Sequence, residues 1–449
     1  MLRQFRGVLV VLLASVLPGA AQQPLAEQQL SFQMETFKNV TGVHLAVASA
    51  TAPSDAECRA DFGVPCYSPQ EIHNAYGLTP ILKAGYTGKG ETIVIIDSFG
   101  SPTITQDLKA FDASYGLPDP PSFTVLAPLG TVPFDVNNSD MVGWAFETTL
   151  DVEWSHAMAP DAKIVLLTSP VSETEGVQGM PEFLALENFA LDHHLGNIVS
   201  QSWGATENTL FTPAGQKVYQ GFESMYERGG QQHVTFFASA GDAGTANPDV
   251  NGTIYPFPTV GYPASSPKVT AVGGTSLYAD TSGNYESETV WNEQGGATGG
   301  GVSQEFGEPF YELLTLPFST QKILRLHRGL PDVAINADPY TSILVYVNFL
   351  PAGQNGFYFI GGTSEGSPMW AGIIADTNQL AGHPMGFLNI KLYALGGSGE
   401  LYDFFHDITV GNNSLDGIPG YDATPGWDPT TGWGTPKLDH LLRALANLQ

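Results

Sequence analysis

The sequence predicts an α/β fold in which a mostly parallel central sheet carries helices on both faces. Two patterns predict it. Short β-branched runs recur at Thr92 to Ile96, in "KIVLLTS" from Lys163, "NIVSQSWG" from Asn197, "VTFFASAGD" from Val234 and "KVTAVGGTS" from Lys268. Between most of these runs lie stretches with helical spacing, at 102–115, 143–157, 179–194 and 214–228. Apolar runs bounded by turn residues read as strands buried on both faces, and their alternation with helices reads as parallel crossover units.

The elements follow in chain order. Residues 1–21 set Arg3 and Arg6 before a short apolar run that closes on Gly19, Ala20 and Ala21, the pattern of a secretory signal peptide. No later stretch is long and uncharged enough to span a bilayer, so a secreted, extracellular protein is expected, or a periplasmic one in a Gram-negative host. Residues 22–66 are polar and mixed and are expected to form an N-terminal arm. Cys58 and Cys66 are the only two cysteines; export favours a disulfide between them, with free buried thiols as the other reading.

Residues 67–449 are expected to form one large domain. It opens with a helix in "YSPQEIHNAYGL". The glycines of "GYTGKGETIVIIDSFG" then lead into a buried strand ending at Asp97. Loops and hairpins are expected from Tyr278 to Gly356, after which the chain re-enters the sheet at "FYFIGG". A final amphipathic helix runs through "PKLDHLLRALANL".

Lys and Arg total 17 against 45 Asp plus Glu, a formal net charge of −28. Such a chain repels nucleic acid and anionic membranes, so neither is expected as a partner. Much of that charge is lost in acid, where carboxylates take up protons. An acidic habitat is therefore permitted, as is an ordinary acidic secreted protein.

Four groups of residues could carry chemistry. In "GFYFIGGTSEGSPMWAG", Ser364 stands after a β run and before a helical stretch, where the partial charge of a helix N-terminus favours developing negative charge. The alternative is that Ser364 or Thr363 simply caps the helix. A nucleophilic serine needs a base, and His156, His193 and His194 stand in structural or solvated settings. Glu147 and Asp151, four apart in "ETTLDVE", share one helix face; close carboxylates couple their titrations and tend to share a proton. A glutamate in that state accepts a serine proton at a pH where histidine is already protonated. Two like charges on a solvated face are the alternative, which the neighbouring Trp144, Phe146 and Leu150 weaken. Asp242, after the strand in "FFASAGDAG", could donate a hydrogen bond to an oxyanion if held neutral, or could be a turn former. Asp407 and Asp428, among Gly and Pro, offer hard oxygen ligands of the kind calcium selects, in a spacing unlike an EF-hand and equally open to turn chemistry.

Together these blocks, in this order, resemble the sedolisin or serine-carboxyl peptidase family. The resemblance runs through "AYGL", "GYTGKGETIVIID", "ETTLDVE" with "APDAKI", "SQSWG", "ASAGDAG", "YPASSPKVTAVGGTSL", "VWNE", "GGGVSQEF", "RGLPDVAINADP", "GGTSEGSP" and "GWDPTTGWGTP". It implies a subtilisin-like fold with glutamate in the place of histidine. It assigns Ser364 as nucleophile, Glu147 as general base and acid, Asp151 as its carboxyl partner and Asp242 as the oxyanion-hole aspartate. Asp97 falls where several members carry a glutamate that extends the carboxyl network, and Trp203 where some carry a tryptophan near it.

The resemblance also implies one structural calcium ion, held by Asp407 and Asp428 with backbone carbonyls of Ile408, Thr424 and Gly426; Thr424 replaces a frequent glycine. Members usually carry a long propeptide, whereas about 45 residues follow the expected signal cleavage before residue 67, so the arm is read as less than a full prodomain. The implied function is an acid-acting serine-carboxyl endopeptidase working through an acyl-enzyme on Ser364, with protein or peptide substrates and a monomer as the expected state. A tripeptidyl exopeptidase of the same family, or a noncatalytic binding protein on this fold, are the alternatives.

Overall fold

A computed structural model describes residues 35–37, 40–293 and 295–448. The expected signal peptide lies outside them. Six strands form the parallel body of the central sheet, in the spatial order Phe123–Leu126, Lys163–Ser169, Thr92–Ser98, Ile198–Gln201, Thr235–Ser239 and Thr270–Ala279. Tyr285–Val290 joins the last of these antiparallel, and Val333–Asn336 pairs with it in parallel. The subtilisin-like α/β fold is thus present, with its strands close to where the apolar runs put them.

Alternation along the strand at Thr92–Ser98 divides the interior. Ile93 and Ile95 join one core with the helices Ile104–Tyr115, Ser139–Met158 and Gly366–Ala381. Val94 and Ile96 face the opposite way and meet the helices Met180–Asp192 and Pro213–Gln231. This is what a strand's two-residue period requires when both faces are covered.

Helix Ser139–Met158 is buried at every residue from Val142 to Met158. A helix apolar or neutral on all sides belongs inside a large domain, so its acidic residues are carried in with it. Its start is fixed by the Asn138 side chain, which accepts from the amides of Asp140 and Met141 at 3.0 and 3.4 Å, a cap worth about 1 kcal/mol.

Two expectations are corrected. The run "FYFIGG" does not return to the central sheet; Gly356–Gly361 lies in a second sheet, between Val40–Val47 and Ser342–Val347 and antiparallel to both. Its buried, aromatic run satisfies either sheet equally, and periodicity cannot name the partner. The described part of residues 22–66 is likewise no detached arm: Val40–Val47 pairs along the Gly356–Gly361 strand, and Cys66–Tyr67 pairs with Ser342 and Ile343. The sheet therefore crosses the boundary expected at residue 67. Cys58 and Cys66 form a disulfide with Cα atoms 5.9 Å apart, tying helix Asp55–Asp61 to the Cys66–Tyr67 strand.

Candidate active site

Ser364 is delivered by a sharp turn. Gly362, at φ +106°, ends the Gly356–Gly361 strand and starts a single 3-10 turn, Thr363–Glu365, from which helix Gly366–Ala381 continues. A side chain at position 362 is excluded twice: the backbone conformation is left-handed, and a Cβ would lie 2.4 Å from Asp242 Oδ2. Neither Ser364 nor Thr363 caps the helix, because Glu365 occupies the cap position and no side chain caps it. The turn is pinned from below by Ser367, whose hydroxyl meets that of Ser200 at 2.8 Å. Ser364 itself remains partly exposed.

Facing it is a buried carboxyl network. Glu147 and Asp151, one turn apart on helix Ser139–Met158, and Asp97, at the end of the first central strand, are all fully buried. Burial and then the nearby Asp97 push Glu147 well above the ordinary carboxyl range, with Asp242 adding to the rise. The Ser364 and Ser202 hydroxyls oppose it by favouring the charged form, although neither makes a geometrically complete hydrogen bond to Glu147. Asp151 is pushed well up by burial, then by Asp97 and Glu147. Asp97 is pushed up to about 7 by burial, eased by the Thr148 hydroxyl. Three acids in one dry site cannot all ionise, so the network holds protons that it can redistribute.

Ser202 links this network to the nucleophile's turn. Its hydroxyl lies 2.7 Å from Asp151 Oδ1, to which it donates, and 3.4 Å from the carbonyl oxygen of Ser364. On the other side of Ser364, Asp242 follows the Thr235–Ser239 strand. Its Oδ1 accepts from the Thr363 amide at 2.7 Å and from the Thr363 hydroxyl at 2.9 Å, while that hydroxyl accepts from Gly241 N–H at 2.9 Å. Thr363 thus fixes the carboxyl beside the residue that follows it. Ser364, Asp242, Ser202 and Trp203 line one cleft of about 340 Å³ with Glu173, Glu175 and the 239–243 loop. A hydroxyl beside a proton-sharing carboxyl pair, with another carboxyl across the cleft, is equipped for acyl transfer.

Comparison with known proteins gives the family. A model of the subtilase family matches residues 136–387, more than half of the chain. The chain belongs to the subtilase family. Within it, the likenesses are to sedolisins. This subtilase is 36% identical over 370 residues to kumamolisin from Bacillus sp. (strain MN-32), covering 81% of the chain. The structure of Pseudomonas sedolisin, a serine-carboxyl proteinase solved with two molecules of pseudo-iodotyrostatin, matches with a TM-score of 0.70 at 27% identity, covering 85% of this chain and 98% of that one. Tripeptidyl-peptidase 1 of Homo sapiens is 32% identical over 322 residues, covering 67% of the chain. This subtilase spans 61% of the length of kumamolisin, 66% of that of sedolisin from Pseudomonas sp. (strain 101) and 52% of that of the human peptidase.

Among the described residues no histidine lines the cleft of this subtilase. His156 is buried on the carboxyl-bearing helix, but its Nε2 lies 2.8 Å from the Pro118 carbonyl and 3.3 Å from Asp112, away from Ser364. His193 and His194 follow helix Met180–Asp192 at the surface. Trp203 packs on Phe183 with its ring tilted and the centroids 4.5 Å apart, and forms a cleft wall.

The residues proposed for calcium lie elsewhere and come together around one loop. Asp407 accepts from the Gly426 amide at 3.2 and 3.0 Å. Asp428 accepts from Thr424 N–H at 2.9 Å through Oδ2, and from Thr430 and Thr431 through Oδ1. Among the described residues no group of three or more His, Cys, Asp or Glu is placed to hold a metal, and the two carboxylates here depend on backbone carbonyls to complete any shell.

The sequence alone assigned no role to Ser202 or Glu175, and offered Thr363 only the alternative role of a helix cap. Ser202 and Thr363 sit inside the motifs "SQSWG" and "GGTSEGSP", but nothing in those motifs says which hydroxyl turns toward which carboxylate. Glu175 lies in a loop with no pattern of its own.

Proposed function

We propose that this chain is an acid-acting serine-carboxyl endopeptidase. The observation that carries the reading is the partly exposed Ser364, which lines one cleft with Asp242 and whose hydroxyl faces Glu147 in the buried, proton-sharing network of Glu147, Asp151 and Asp97. Glu147 takes the hydroxyl proton as Ser364 Oγ attacks a peptide carbonyl, and Asp151, hydrogen-bonded by Ser202, absorbs the change in charge. Asp242, held in place by Thr363 through Oδ1, donates to the oxyanion in its protonated form. When the tetrahedral intermediate collapses, Glu147 returns the proton to the departing amine, and water then resolves the acyl-enzyme by the reverse sequence. Groups of this kind contribute about 10²- to 10⁴-fold for proton transfer and about 10²- to 10³-fold for an oxyanion donor.

Calcium supports the fold in this reading, and its donors fit. Asp407 and Asp428 are pushed up by burial, Asp428 to about 6, and no Lys, Arg or His pairs with either among the described residues. With the carbonyls of Ile408, Thr424 and Gly426 they would hold a hard cation, whose chemistry is structural. Export is proposed from the charged and apolar N-terminal pattern and the Cys58–Cys66 disulfide.

The test is a pH profile of peptide hydrolysis with the Ser364→Ala variant alongside. Wild-type activity is expected to peak in acid and disappear toward neutrality, and Ser364→Ala to form no acyl-enzyme; full activity at neutral pH, or turnover by the variant, overturns the reading. Release of N-terminal tripeptides is the second reading, on the likeness to tripeptidyl-peptidase 1. Sizing the products of one defined peptide separates the two.

A further inference from the structure

We propose that Glu175 is a specificity-determining residue, whose carboxylate receives a lysine or arginine side chain of the substrate next to the scissile bond. The inference rests on the peptidase reading above and names the substrate class of the same cleft. Glu175 lies in the loop between the Lys163–Ser169 strand and helix Met180–Asp192, and it lines the cleft that also contains Ser364 and Asp242. One of its oxygens is anchored: Oε2 accepts from Thr206 N–H at 2.8 Å, and Thr206, itself on the cleft wall, donates through its hydroxyl to the Pro248 carbonyl at 2.9 Å. A carboxylate positioned by a backbone amide keeps its direction while its second oxygen binds another donor.

The surroundings favour a cation. Among the described residues no Lys, Arg or His lies within ion-pair distance of Glu175. The titratable groups that face it are Asp249 and Tyr255 from the loop that follows Asp242, together with Glu173 on its own loop and Asp242 across the cleft. Every one of them is acidic. Gly204, Gly241, Gly261 and Gly295 also line the space and leave room for a long side chain. The apolar faces of Trp144 and Trp203 in the same lining would sheathe its methylene stem while the charged end reaches Glu175.

The pH dependence follows from the same surroundings. Burial, reinforced by Asp249, pushes Glu175 up to about 7. Below pH 7 the free carboxyl is mainly neutral, and a bound ammonium or guanidinium favours its ionised form, so discrimination by charge is weakest in strong acid and grows as pH rises toward 7.

The experiment compares matched peptides with lysine, arginine, norleucine or glutamine at each position flanking the cleaved bond. The readouts are kcat/KM ratios within one enzyme, and the binding of the same peptides, fluorescently labelled, to the Ser364→Ala variant. Wild type is expected to prefer lysine or arginine over norleucine by about tenfold or more at pH 6, with the ratio narrowing toward pH 4. Glu175→Gln, which keeps an acceptor for Thr206 N–H, is expected to flatten the ratio at both pH values. Glu175→Asp is expected to recover part of it. Glu400→Gln removes one exposed charge outside the cleft and is expected to leave the ratio at the wild-type value. A basic preference that survives Glu175→Gln, or its absence from wild type, overturns the assignment. Failure of the peptidase reading shows separately, as no Ser364-dependent turnover; the binding ratios on Ser364→Ala then still decide whether Glu175 selects cations.

Discussion

The residue with the most to reveal beyond Ser364 is Ser202. It is the single described donor to Asp151 Oδ1, at 2.7 Å, while Asp151 Oδ2 has no partner among the described residues. Removing the hydroxyl withdraws support from the charged form of Asp151, so the network holds its protons to higher pH. A hydrogen bond to a charged group is worth about 1.5–3 kcal/mol, equivalent to about 10- to 100-fold in rate if it is felt in full during proton transfer. Ser202→Ala is therefore expected to lower kcat by one to two orders of magnitude, by about that measure, and to move the alkaline limb of the kcat profile upward. A fall in kcat with the limb unmoved would make Ser202 a packing residue only. Glu147 and Asp151 were legible as a pair because a spacing of four is a statement about a helix face. The Ser202 and Thr363 contacts were not legible, since both depend on chain segments far apart in sequence and brought together by the sheet.

At the scale of elements, the strand order separates what local pattern can carry from what it cannot. Five of the six parallel strands from Thr92 to Ala279 were readable because each is a buried run bounded by turns; the sixth, Phe123–Leu126, is an exposed edge strand without such a run and was not. Strand Val40–Val47 was not, because only its pairing with Gly356–Gly361 makes its mixed sequence "VTGVHLAV" a strand. The ring contact across that pairing, His44 to Phe359 at 6.4 Å, and the one from Phe62 after helix Asp55–Asp61 to Phe359 at 5.1 Å, are long-range and leave no mark on any of these segments alone. The loop around Asp428 makes a prediction at this scale. Its two carboxylates accept from backbone N–H groups, and a cation held by the same carboxylates with the carbonyls of Ile408, Thr424 and Gly426 would add a further tie across the loop. A chelator is expected to lower the melting temperature and calcium to restore it, with Asp428→Ala insensitive to either. A melting temperature indifferent to chelator in wild type, with no bound metal by elemental analysis, removes calcium from the account.

Across the whole molecule, buried acids are spread far beyond the cleft. Asp107, Glu288 and Asp338 are each pushed up to about 7 by burial, and Glu153, Glu187, Glu365 and Asp376 are pushed well above their ordinary values for the same reason. For such groups the folded chain binds the proton more tightly than the unfolded chain does. Their stabilisation is complete below the unfolded value near 4 and is lost as pH rises through the folded value. For fully buried Asp338, moved from 3.8 to about 7, the span corresponds to about 4 kcal/mol as an upper figure. Glu57 and Asp135, which are exposed, and Asp249 and Asp280, which are half-exposed, are lowered by local hydrogen bonds and act in the opposite sense, weakened by solvent screening. The sum favours acid, and the net charge of −28 at neutral pH adds self-repulsion in the same direction. The melting temperature is therefore expected to be highest near pH 4 and to fall by about 10 °C or more by pH 7, taking a few °C per kcal/mol. Asp376 isolates the cause, since it is fully buried in helix Gly366–Ala381 and neither carboxyl oxygen has a partner among the described residues. Asp376→Asn has nearly the shape of the protonated acid and cannot ionise. It is expected to match wild type at pH 4 and to melt several degrees higher at pH 7, by about 1 kcal/mol or more. If the variant instead melts lower than wild type at both pH values, burial of ionisable acids is not what ties this fold to acid.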